Sequence, residues 1–245
     1  MSCNSKNQSE HQEWPTTGLL YTNFNLPLKK LRSGLSKIPT EIEDAIVYSY
    51  VIRSIEKDNE GSFMQTGSGP NFEGDVITLC TCKHKMRTYG DTNFWRNKWI
   101  AGFSGVEAGE GKNVLVYLMP VSQAFESYSD LWTSKILTAK AKKQKNSRGN
   151  KLGDLYEPRR LSLKGEQRFT PKNYQDPDPE HSHSGRKWHK DVNYYGCSNR
   201  RPVLLVGDRN HSFLWSKPTI FCNGKMTQGA NKKKLSEFLG ALERV

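Results

Sequence analysis

Two apolar runs set close together constrain this chain more than any other feature. Lys98 to Phe103 and Asn113 to Gln123 are both dense in aliphatic and aromatic residues. Such residues suit the pleated, half-buried surface of a strand. The connection from Gly105 to Gly111 holds three glycines. Glycine reaches the backbone angles that a reversal needs at no steric cost. The pattern predicts an antiparallel hairpin.

Further strand-like runs flank the hairpin. Ala45 to Arg53 predicts an opening strand, and Val76 to Cys82 a second. Between them, Asp58 to Gly74 holds four glycines and a proline and reads as a loop. Gly90 to Lys98 reads as a turn or crossover. Phe125 to Leu137 places Tyr128, Leu131, Trp132 and Ile136 near one helical face. Pro202 to Val206 and Phe213 to Trp215 return to strand character. Leu235, Phe238, Leu239 and Leu242 follow helical spacing and predict an amphipathic helix over residues 223–245. Residues 1–40 read as a polar extension broken by Pro15, Pro27 and Pro39, with a short helix possible over Leu26 to Leu35. Residues 41–222 form the expected domain, with a long basic insertion at about 138–200. The expected class is α+β and strand-dominated: a curved, mostly antiparallel sheet or a partly open barrel with a few flanking helices.

Charge narrows the partners. The 245 residues carry a net charge of +12. Lys135 to Lys172 alone holds twelve Lys or Arg against three acids. A field of that sign attracts phosphates and steers nucleic acid, though a solvated loop would look the same. No apolar run reaches the length of a membrane span, and Met1 to Trp14 lacks the apolar centre of a secretory signal. The five cysteines form no disulfide framework. A cytoplasmic protein with no membrane partner is the expectation.

The chemistry-bearing residues fall in three places. Cys80, Cys82 and His84 alternate, so on an extended strand they would share one face. Cys197, Cys222 or His211 could complete a zinc set there. However, C-x-C-x-H is not a standard zinc spacing and no second ligand pair is present. The sequence therefore assigns no metal and names no cofactor. Cys80 could also act as a nucleophile beside Lys83, Lys85 and Arg87, or simply pack. Lys83 and Arg87 could hold a phosphate. The second place is the titratable cluster of His181, His183 and His189 with Asp176, Asp178, Glu180 and Asp191. Histidine there could serve as general acid or base. The third is the aromatic set. Trp99, Trp188 and Trp215 could stack a base, with Trp188, Tyr194 and Tyr195 in the most polar surroundings. No Walker loop, dinucleotide fingerprint, nucleophile elbow or zinc-protease motif is present. That argues against an NTPase, an ordinary dehydrogenase or a classical hydrolase.

Several blocks, in order, resemble a known family. They are Tyr48-Ser49-Tyr50-Val51, Leu79-Cys80-Thr81-Cys82-Lys83 with Arg87, Trp99-Ile100-Ala101-Gly102, Leu115 to Met119, and Phe125 to Trp132. Gly153-Asp154-Leu155-Tyr156, His181-Ser182-His183-Ser184, Val203 to Val206 and Phe213-Leu214-Trp215 complete the series. Together they resemble the second type of nucleotide-modification-associated domain, found in phages and bacteria, over roughly Tyr48 to Ile220. One position departs: Asn97-Lys98 stands where the family usually has Gly-Asp. The resemblance implies recognition or processing of nucleotides or modified bases, in a phage modification or anti-phage setting. Nucleotide or nucleic acid is the implied partner, DNA rather than RNA. The alternative is an enzyme, a transferase or hydrolase, using His181, His183, Asp154 and Tyr156. For binding, the resemblance and the residue types point to Lys83, Arg87, Cys80, Cys82, Trp99, Trp188 and Trp215. PUA-type barrels, which hold a base in a pocket, share the general plan.

Overall fold

The computed structural model describes residues 23–35, 45–181, 188–196, 199–224, 226–227 and 229–244. His183 and Cys197 lie outside the described residues, as does most of the polar extension.

In chain order the elements begin with α1 (Leu28–Leu35), β1 (Ile46–Ile52), β2 (Ile55–Lys57), β3 (Phe63–Gln65) and β4 (Thr78–Leu79). Two one-turn helices follow, α2 (His84–Arg87) and α3 (Thr92–Trp95), then the hairpin strands β5 (Trp99–Ser104) and β6 (Leu115–Phe125). Next come α4 (Tyr128–Thr133), α5 (Ala139–Lys145) and α6 (His189–Asn193). The chain closes with β7 (Leu204–Gly207), β8 (Phe213–Leu214), β9 (Ile220–Cys222), β10 (Asn231–Lys234), α7 (Leu235–Gly240) and β11 (Leu242–Arg244).

One seven-stranded sheet organises the molecule, in the order β10-β1-β5-β6-β7-β4, with β8 also pairing β6. The architecture is α+β and the sheet is mixed. The β5–β6 hairpin is antiparallel as expected, with Trp99 opposite Pro120 and a bulge at Gly102/Phe103. The β1–β5 pair is parallel, Val47 opposite Trp99. Parallel neighbours require a long crossover, and residues 53–98 supply it while sending β4 to the far end of the sheet. Among the described residues the strands form no closed barrel: β10 and β4 end the path. The β10 edge reads Asn-Lys-Lys-Lys, and such charge discourages further pairing.

The hairpin strands read as continuous apolar runs because both faces of the sheet are covered. Val47, Trp99, Ala101, Phe103, Leu115 and Leu118 pack with α1, α7 and β9 on one face. Tyr48, Tyr50, Ile52, Ile100, Val116 and Met119 fill the other. Gly102 permits the second layer to close, since a Cβ there would stand 2.2 Å from Tyr117 Cε1. A third cluster, with Cys80, Tyr128, Leu155, Tyr156 and Tyr174, underlies the basic segment.

Some element boundaries differ from the sequence expectation. Val76 to Cys82 is strand only at Thr78–Leu79. The helix expected over Phe125 to Leu137 is shortened to α4, because β6 runs on to Phe125 and the Ser127 hydroxyl caps the helix by accepting from Asp130 N–H. The C-terminal helix ends at Gly240, and Leu242 pairs with Cys222 on β9 instead.

Candidate functional site

An open cleft of about 620 Å³ lies where β1 ends and where the chain leaves β4. Its lining includes Tyr50, Arg53, Thr81, Cys82, Lys83, His84 and Asp191, with the loop Gly67-Ser68-Gly69 opposite Ser54. The loop lies against Ser54: a Cβ on Gly69 would stand 3.1 Å from Ser54 Oγ.

The turn from Thr81 to His84 is built by backbone conformation. Lys83 adopts φ 56° and ψ 37°, the left-handed region, immediately before α2. That conformation disfavours any side chain with a Cβ. It breaks the strand before His84 and holds the Lys83 ammonium 4.6 Å from the Tyr50 ring centroid. Burial lowers the Lys83 pKa from its ordinary value, the neighbouring Cys82 opposes that, and Arg53 adds to it. Burial pushes the Cys82 thiol up to about 11 despite the pull of Arg87 and Lys83. The Cys80 thiol is also raised well above its ordinary value, through burial and then the Asp154 charge. Both thiols therefore hold their protons at neutral pH. Cys80, Cys82 and His84 do not share a strand face, since β4 ends at Leu79. Among the described residues no group of three or more His, Cys, Asp or Glu is placed to hold a metal ion.

Arg87 is fully buried. Its guanidinium donates to the carbonyls of Cys82 at 2.8 Å, Val203 at 2.6 Å and Cys80 at 2.6 Å. This fork ties the turn to the segment entering β7. Asp154 is also fully buried. It accepts from the Thr78 hydroxyl at 2.9 Å and the Cys80 N–H at 3.1 Å. Burial raises its pKa, while the buried Lys145 ammonium and these hydrogen bonds pull it down. Lys145 in turn donates to the Asn71 carbonyl and side chain at 3.1 and 3.0 Å. Neither Arg87 nor Asp154 lines the cleft. Both hold the walls that do.

Tyr156 connects the interior to the cleft. Its hydroxyl donates to Asp191 Oδ2 at 2.7 Å and lies 2.8 Å from His181 Nε2. Asp191 Oδ1 faces His84 Nε2 at 3.0 Å, an ion-pair distance off the hydrogen-bond line. The His84 ring stacks on Tyr194 with centroids 4.9 Å apart. Burial raises the Tyr156 pKa well above its usual value, and the Asp191 charge adds to the shift. Trp188 lies 5.2 Å from the Tyr156 ring, part of the wall of this network.

The structure thus brings Cys82 and Lys83 to the cleft, and joins Tyr156 and His181 to it through Asp191. Cys80, Arg87 and Asp154 stand behind it. Trp99 and Trp215 are elsewhere, buried in the cluster on the opposite face, with Trp215 Nε1 donating to the Leu26 carbonyl at 2.8 Å. The sequence reading did not single out Tyr50, Arg53 or Thr81, and it weighed His84 only as a metal ligand. A histidine opening a basic helix after a Cys-Lys turn was the available signal. A separate surface runs beside α5. Lys140, Lys143, Gln144, Asn150 and Lys151 line a second open depression, together with Glu73, Asp178 and Glu180.

Fold and site define an α+β protein with an open mixed sheet, covered on both faces and bearing a cleft whose lining includes the charged groups Arg53, Lys83 and Asp191. Its family can be stated: the chain belongs to the nucleotide modification associated domain 2 family, whose model matches residues 44–195. No curated protein and no solved structure matches the chain. Among the described residues no helix is long and apolar enough to cross a membrane.

Proposed function

We propose that the cleft bounded by Tyr50, Arg53 and Thr81–His84 takes a nucleotide, or a modified base presented by nucleic acid, for recognition or processing. The observation that supports this most is the makeup of the cleft itself, in a chain of a nucleotide-modification family. Arg53 and Lys83 offer positive charge for a phosphate. The Gly67-Ser68-Gly69 loop lets a ligand approach the backbone closely. The Thr81 hydroxyl is buried and has no hydrogen-bond partner among the described residues. A polar ligand would satisfy it. In the same reading Cys80, Arg87 and Asp154 shape the pocket walls, and Trp188 holds the network behind it.

DNA is the proposed nucleic acid, within phage modification or anti-phage defence. The exposed Lys140, Lys143 and Lys151 beside α5 would meet its phosphates, on a domain of residues 41–222. A base held near strand ends is also how a partly open, PUA-like barrel would work, and that comparison belongs to this reading.

A second reading is an enzyme acting on the bound nucleotide. The contact between His84 and Asp191 at the cleft favours it, with His181, Tyr156 and Asp154 behind. Native mass spectrometry with a pool of canonical and modified nucleotides and short DNA tests both. Retention of an unchanged nucleotide, weakened by Lys83→Ala, supports recognition. A new product mass supports the enzyme. Absence of any complex or product rejects both. For the DNA component, Lys140→Glu with Lys143→Glu is expected to reduce the salt slope of binding by about 2.

A further inference from the structure

We propose that a single strand of nucleic acid leaving the cleft crosses a surface formed by Tyr89, Phe94, Tyr195 and Arg200, with its bases stacked on the rings. The path begins at the cleft wall, so it rests on the cleft being the ligand site. It adds that the ligand is single-stranded and where its neighbouring nucleotides lie.

The exposed large aromatic residues among those described are Tyr195 at 53%, Tyr89 at 45% and Phe94 at 36%. The fold gathers them around one contact. A Cβ on Gly196 would stand 2.9 Å from Thr88 Oγ1, and the Arg200 guanidinium reaches the Tyr89 carbonyl at 3.5 Å. The loop after α6 is thereby laid against the residues that follow α2. Between them lies a depression of about 240 Å³, lined in part by Gly90, Asp91, Phe169, Arg200 and Arg201. The rings are held in place from beneath. Phe94 lies on the Gly90 backbone, where a Cβ would stand 2.1 Å from Phe94 Cγ, and meets Trp95 edge-on at 5.3 Å. Buried Tyr48 packs against Phe94 at 6.3 Å and against Tyr89 at 6.2 Å. The Arg201 guanidinium lies 4.6 Å from the Tyr195 ring centroid and 4.1 Å from that of Phe169, and Glu166 fixes it at 2.8 Å. A ring already held by the protein loses little freedom when a base stacks on it.

Charge selects the occupant. Arg168 and Arg201 are matched by Glu126, Asp130 and Glu166. Arg96, Lys98 and Arg200 form no ion pair among the described residues, and Lys98 lies 5.7 Å over the Phe94 ring. Asp91, an exposed acid of the depression, accepts from the Phe94 N–H at 2.8 Å. Fixed rings interleaved with unmatched cations suit a strand whose bases stack on any aromatic face and whose phosphates need positive charge. A duplex keeps those faces inside its own stack. Continuity with the cleft supports the same occupant. His84 of the cleft wall stacks on Tyr194 at 4.9 Å, and Tyr195 is the next residue.

The test is fluorescence anisotropy of the full chain with labelled oligodeoxythymidylate and with its blunt duplex of equal length. The single strand is expected to bind more tightly than the duplex. Tyr195→Ala is expected to weaken single-strand binding by about 5- to 100-fold, the range for one stacked base, and Tyr195→Phe to restore it. Arg200→Ala is expected to reduce the single-strand salt slope by about 0.7, and it carries the test if Tyr195→Ala does not fold. Strand affinity unchanged in Tyr195→Ala would overturn the proposal. A dimer that sedimentation finds and Tyr195→Ala disperses, with strand affinity unchanged, would assign the surface to a second copy of the chain instead. Calorimetry of the wild type with a deoxynucleoside monophosphate reads the cleft separately. Monophosphate binding, with the single strand held no more tightly than the duplex, would overturn the strand path and leave the cleft reading. Strand binding that Tyr195→Ala weakens, with no monophosphate binding, would keep the surface and reject the cleft.

Discussion

Gly153 shows how one residue places another. Its backbone passes so close to Ser147 that a Cβ would stand 2.6 Å from the Ser147 nitrogen and 2.7 Å from its Cα. Backbone atoms cannot step aside as a side-chain tip can. Gly153→Ala is expected to destabilise the fold by about 1–3 kcal/mol, the usual range for overpacking. Urea unfolding checks it, and an unchanged midpoint would mean that the loop relaxes freely. The same close approach presents Asp154 to Thr78 and Cys80. The Gly153-Asp154-Leu155-Tyr156 block was legible in sequence as a unit. Its two polar members, however, face different partners: Asp154 supports β4, and Tyr156 reaches Asp191. Cys82 gives a second residue-level prediction. With its thiol pushed up to about 11, the thiolate fraction near pH 8 falls about 100-fold below that of an unperturbed thiol of pKa 9.0. Iodoacetamide labelling followed by mass spectrometry should find Cys82 slower than a free thiol by a similar factor. Labelling at the free-thiol rate would show that the pocket does not enforce burial.

At the scale of elements, the turn between β4 and α2 decides the cleft. Sequence alternation placed Cys80, Cys82 and His84 on one face, but the left-handed backbone at Lys83 ends the strand and breaks that alternation. Lys is a poor choice for this conformation, and glycine a good one. Lys83→Gly is therefore expected to raise stability by roughly 0.5–1 kcal/mol after the entropy cost of glycine is subtracted. The same change removes the cleft ammonium, so nucleotide affinity should fall. Unfolding and binding measured on one variant separate the two effects. A loss of both would mean that Lys83 contributes to the fold through its contact with Tyr50. Similar local logic explains the hairpin. Glycines at 105, 109 and 111 were readable as a reversal, and β5 and β6 pair as expected. The parallel pairing of β1 with β5 was not readable, because strand order depends on the crossover and not on either strand's residues.

Across the whole molecule, buried hydroxyls and thiols set the alkaline limit. Burial raises Tyr50, Tyr117, Tyr128 and Tyr156 well above their usual value. It also raises Cys80 and Cys82. The folded chain holds protons that the unfolded chain releases at about pH 9–10. The folded state therefore binds more protons in that range, and stability falls as pH rises. This contribution is fully present below about pH 9 and is lost above it. Urea midpoints from pH 8 to 11 should drop steeply, with tyrosinate absorbance appearing together with unfolding. Complete tyrosinate formation in protein that is still folded would contradict the burial argument. The basic segment also changes meaning at this scale. Lys145 counts toward its charge, yet it is buried and bonded to Asn71, while Lys140, Lys143 and Lys151 are exposed.

By itself the sequence determined the strand-rich α+β class, the antiparallel hairpin, the basic character and the family. Those properties follow from local composition, periodicity and ordered short blocks. Only the tertiary structure decided which polar residues meet. His84 opens α2 after β4, Asp191 sits on α6, and Tyr156 and His181 come from loops between, with no spacing rule linking them. The crossover and the packing of α6 against the turn after β4 bring them together, because the physical determinant is the distance across the fold.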